Sequence, residues 1–89
     1  MVNEHEVNLI KTLWIPYELD NIRYYALEIG DFKKMLEGKM ASAHDNIRQL
    51  YRYFLTYAEI ELEAANERIT EYRKELDDYD QQRGELPPV

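Results

Sequence analysis

Leu55, Ala58, Leu62, Ala65, Ile69, Tyr72, Leu76 and Tyr79 follow one another at alternating spacings of three and four. That repeat keeps one face of an α-helix on a single line and marks a helix that another helix must cover. Its ends are legible. Ser42-Ala43-His44-Asp45 reads as a capping box, and no proline or glycine follows until Gly84. Gly84 suits the position just past a helix, Pro87-Pro88 blocks continuation, and Arg83 places a cation at the C-terminal end. The pattern therefore predicts one helix over residues 43–82, a rod of ~60 Å.

The N-terminal half repeats the signal more weakly. Ile15, Leu19, Ile22, Ala26, Ile29, Leu36 and Met40 keep the three-four spacing, interrupted by Lys33. Val7, Ile10, Leu13 and Trp14 form a short amphipathic stretch upstream, with Asn3 as a candidate cap. Helices are predicted over 4–14 and 16–37, with Pro16 either starting the second or kinking a longer one. Gly30-Asp31 offers a second possible break, but the apolar line runs through it at a cost of about 1 kcal/mol for the glycine. The short linker around Glu37-Gly38-Lys39 sets the flanking helices antiparallel. The fold class expected is all-α: a helical hairpin with a short or kinked N-terminal helix, a long C-terminal helix and coiled-coil-like antiparallel packing. Residues 1–83 form its single domain and 84–89 an extended tail.

Pro16 decides how much of the long helix the chain can cover by itself. A straight arm over 4–37 reaches ~51 Å, whereas an arm reversing at Pro16 covers ~31 Å and leaves about 63–82 bare. The second case makes oligomerisation nearly obligatory, and the first still gains from it. Leu55, Ala58, Leu62, Ala65, Ile69, Tyr72, Leu76 and Tyr79 are accordingly the expected oligomer interface. In a parallel pair Arg68 would approach Arg73 and Glu75 would approach Asp80 of the second copy. An antiparallel homo-oligomer, a dimer or higher, escapes both clashes.

Charge narrows the partners. The 89 residues carry a net charge of −7, with 10 acidic and 4 basic side chains over 59–89. Such a surface repels phosphates and anionic headgroups, so direct nucleic-acid binding and membrane association are not expected. No apolar run is long enough for a membrane span, and the acidic N-terminus lacks a signal-peptide pattern. The chain contains no cysteine, which fits a reducing compartment. A cytoplasmic location follows as the expectation, the host cytoplasm if the protein is viral.

The residues offer little to catalysis. His5 and His44 stand alone, the three glycines are isolated, and no Ser-His-Asp or Glu-x-x-His arrangement occurs. No enzyme activity, cofactor or metal is expected. Two surfaces remain as partner-binding candidates. Arg48, Tyr51, Arg52 and Tyr53 set arginines beside aromatics, the composition of interface hot spots, although aromatics at helical spacing also serve a core. Glu59, Glu63, Glu67, Glu71 and Glu75 recur every four residues as an anionic ridge suited to a basic protein, or simply as a solvated face.

The function expected is therefore a small acidic interaction module that regulates, recruits or inhibits an unidentified protein by binding it. Proteins of viruses and mobile elements include many of this kind. Two alternatives stand beside it. One is a scaffolding subunit whose role is its own oligomer. The other is a nucleic-acid mimic: the 9 acidic groups over 59–80 space one charge per ~3.7 Å, against ~3.4 Å along one DNA strand.

Overall fold

The computed structural model describes residues 3–85, which form two antiparallel helical arms joined by a turn. The first arm comprises α1 (Glu4–Leu9), a π-helical turn (Ile10–Trp14) and α2 (Ile15–Glu37). The second is a single helix, α3 (Asp45–Glu85), of 41 residues and about 62 Å. The Cα envelope measures 70 × 16 × 15 Å, a rod two helices wide.

Asn3 caps the first arm, its Oδ1 accepting from the Glu6 N–H at 2.8 Å. Pro16 neither breaks nor reverses this arm. A proline inside an α-helix lacks the N–H that its turn needs, and its ring crowds the carbonyl four residues back, here that of Thr12. The chain meets both demands by widening the turn just before it. The Ile15 N–H donates to the Ile10 carbonyl, five residues back, so the hydrogen-bond register changes where the proline has no donor to give. Thr12 adds a hydroxyl bond to the Asn8 carbonyl at 2.6 Å. α2 also continues through Gly30-Asp31 without interruption.

The turn differs from its predicted form. Residues 38–44 connect the arms, and α3 starts at Asp45 rather than at 43. No capping box forms: Asp45 pairs with Arg48 instead of reaching back, and the His44 carbonyl accepts from the Ile47 and Arg48 N–H groups at 3.0 and 3.1 Å. Arg48 also reaches back to the Ala41 carbonyl at 3.4 Å, so one guanidinium ties the turn to the helix it precedes. At the far end α3 runs through Gly84 to Glu85, which places both in the helix and not in a tail. The rest of the expected tail, residues 86–89, lies outside the described residues.

Facing pairs define the register of the hairpin. Trp14 lies against Tyr72 with ring centroids 5.7 Å apart, Glu18 meets Arg68, and Phe32 lies 5.8 Å from Phe54. The numbers in each pair total 86, which is antiparallel packing without a slip from one end to the other. Ala58, Ala65 and Ile69 are buried in α3, and Leu55, Leu62, Tyr72, Leu76 and Tyr79 are half-buried. The stripe is therefore the seam of the hairpin itself. These eight residues, expected as an oligomer interface, line the contact between the chain's own two arms. The physical reason is the continuous first arm: its 34 residues reach ~51 Å and lie over most of α3. Burying Ile69 alone is worth roughly 2 kcal/mol, and the two alanines let the helix axes approach.

The opposing line also differs from its predicted position. Leu19 and Ala26 are exposed, whereas Glu18 is 4% exposed and Ile22, Tyr25, Ile29, Phe32 and Leu36 are half-buried. Ile15, Ile22, Ile29, Leu36 and Met40 of the predicted line are half-buried, and Glu18, Tyr25 and Phe32 turn inward beside them where Leu19 and Ala26 do not.

Candidate protein-interaction surface

The first group of predicted contact residues divides. Arg48 is engaged in the turn, and Tyr51 is half-buried with its ring against Phe32 and Phe54, centroids 6.1 Å from each. Arg52 and Tyr53 are exposed; Tyr53 shows 67% of its surface, with one edge on Phe54. Two of the four thus stabilise the hairpin and two face outward.

The acidic row stays together. Glu59, Glu63, Glu67, Glu71 and Glu75 are all exposed, and none joins an ion pair among the described residues. The first four line a shallow groove between the arms, floored by Ile29 and Leu62 and edged by Lys33, Asn66 and Thr70. Lys33, the apparent flaw in the N-terminal apolar line, is the one cation lining that groove.

A second apolar line runs beside the seam. Leu50, Tyr53, Tyr57 and Ile60 are each half or more exposed, and Ala64 continues their spacing of three, four, three and four. Tyr57 and Ala64 stand one residue before the buried seam residues Ala58 and Ala65, so the line is rotated about 100° from the seam. In α2, Tyr17 and Tyr24 likewise precede the inward-facing Glu18 and Tyr25. In antiparallel helices, positions preceding the seam emerge on the same broad face of the pair. The Tyr24 and Tyr25 rings meet edge to face at 5.1 Å, and the Tyr25 hydroxyl meets Tyr57 across the arms. Burial, followed by the proximity of Tyr57 and Glu61, raises the Tyr25 hydroxyl above its ordinary pKa. The signal available in the sequence was this second three-four repeat, masked by the stronger one beside it.

The seam holds one buried charge. Glu18 accepts from the Arg68 Nε at 2.9 Å through Oε1, while Oε2 is buried without a partner. That bond is the main cause raising the Arg68 guanidinium pKa above its usual value. Trp14, expected as a core anchor or a hot spot, is half-buried on Tyr72. His5 and His44 are exposed. Among the described residues no group of three or more His, Cys, Asp or Glu is placed to hold a metal ion. No described helix is long and apolar enough to cross a membrane.

Comparison with protein-family models, curated proteins and solved structures returned no match for this chain.

Proposed function

We propose that this protein is a small acidic, non-catalytic interaction module that regulates, recruits or inhibits a partner protein by binding it. One observation carries the reading. The hairpin fills its own seam and still exposes Leu13, Tyr17, Tyr24, Leu27, Leu50, Tyr53, Tyr57 and Ile60 on its outside. Contiguous exposed apolar surface of this kind is typical of protein interfaces, and tyrosine is enriched at their centres. Among the described residues the groove between the arms is shallow and open to solvent, a poor place to desolvate a substrate.

A tagged chain is expected to recover one stoichiometric protein from lysate of its source cells. Arg52→Glu combined with Tyr53→Glu is expected to lose that protein while the helical circular dichroism persists. Recovery of nothing above background, or capture indifferent to that pair, removes the proposal. The acidic ridge favours a second reading, a nucleic-acid mimic that occupies a basic groove. Under it, binding collapses with added salt and is competed by DNA; salt-insensitive binding excludes it.

A further inference from the structure

We infer that the outward line Leu50, Tyr53, Tyr57, Ile60 and Ala64 is the contact between two copies of this chain, packed antiparallel about a two-fold axis at Tyr57. The inference names one partner for the binding surface proposed above.

Three observations meet on this face. The line is self-complementary. Reversal about Tyr57 sets Leu50 against Ala64 of the second copy, Tyr57 against its own copy, and Tyr53 beside Ile60. Large residues at one end thus meet a small one at the other. The second observation is area: with Tyr24 at its edge, the line leaves on the order of 600 Å² open, near the ~800 Å² per partner of a standard interface.

The third is charge. Residues 33–52, around the turn, carry 5 basic and 2 acidic side chains, a net of +3. Residues 61–80 carry 8 acidic and 3 basic, a net of −5. The rod is therefore polarised from end to end. Reversal about Tyr57 lays the turn end of one copy along the start of the acidic half of the other, with Arg52 level with Leu62, between Glu61 and Glu63. A parallel pair would align like-charged ends over the same length and is disfavoured. The overall charge of −7 opposes association in either case, so end-to-end complementarity selects the antiparallel one.

Light scattering on the purified chain between ~1 and ~100 µM is expected to show a species of twice 10.7 kDa. Ile60 is 57% exposed, so Ile60→Glu is expected to leave the hairpin helical and weaken the dimer at least about tenfold. The absence of native cysteine makes the register readable by oxidation. Tyr57→Cys is expected to form a disulfide-linked dimer, and Leu50→Cys not to, because its two copies would lie about 21 Å apart. A monomer throughout the range overturns the inference, as does a dimer indifferent to Ile60→Glu or one cross-linked equally well through both cysteines. A monomer that still captures another protein overturns this inference alone and leaves the binding function standing.

Discussion

Ala65 tests whether the seam belongs to one chain. It is 0% exposed, and its Cβ lies where the two arms come together. Ala65→Leu adds three carbon atoms at a position fully closed to solvent between the arms. Overpacking of this kind costs about 1–3 kcal/mol, and a thin two-helix stack has few neighbours that can shift to absorb it. A domain of 60–100 residues loses roughly 4–8 °C of melting temperature per kcal/mol, so a cost of about 2 kcal/mol predicts a fall of roughly 8–16 °C. Ala64→Leu is the control. It makes the same chemical change one residue away, about 100° around the helix on the outward line, and is expected to stay within about 0.5 kcal/mol for the hairpin itself. Thermal unfolding should be followed by circular dichroism at several protein concentrations. The Ala65→Leu penalty is expected at every concentration because the damaged contact is intramolecular. A penalty that vanishes on dilution, or equal penalties for the two variants, would show that the seam lies between chains and refute the reasoning.

Gly30 lies inside α2, and a Cβ there meets no atom within 4 Å, so Gly30→Ala is expected to stabilise the hairpin by about 0.5–1 kcal/mol in urea unfolding. Arg68→Ala is expected to lower the melting temperature more than Glu18→Leu does, because it strands a buried carboxylate whereas Glu18→Leu leaves a half-buried cation within reach of water; the reverse order would contradict the ion-pair argument. Burial and its neighbours raise the Tyr25 hydroxyl above 10.0, so the neutral form is favoured on folding. The contribution of this group is intact below pH 10 and is lost as pH rises through its folded-state value, so alkaline unfolding is expected to move to higher pH in Tyr25→Phe.

The hairpin was legible in the sequence because helical periodicity is local. Spacings of three and four identify the inward face of α3 whatever covers it, and Ala58, Ala65 and Ile69 are buried as that rule requires. The cap at Asn3 was equally local. At the turn, Ser42 and Asp45 satisfied a motif, but Arg48 competed for the same aspartate from three residues away, and the helix began later. On the candidate surface, the exposed acidic row was legible because its carboxylates fall between the apolar positions of the seam and an unpaired charge is costly to bury. Tyr53, read there as a contact residue, is exposed; the outward positions of Tyr57 and Ile60 were not legible, since apolar residues read as core until the core is full.

By itself the sequence determined the two helices, the apolar seam and the polarised charge, each a property of residues a few positions apart. Only the tertiary structure decided which surface covers the seam and which is left open. That choice turned on Pro16. By widening one turn, the chain gives up ideal hydrogen bonding at a single point and extends the first arm along α3. The stripe is then hidden within one molecule, and a different apolar face is left exposed.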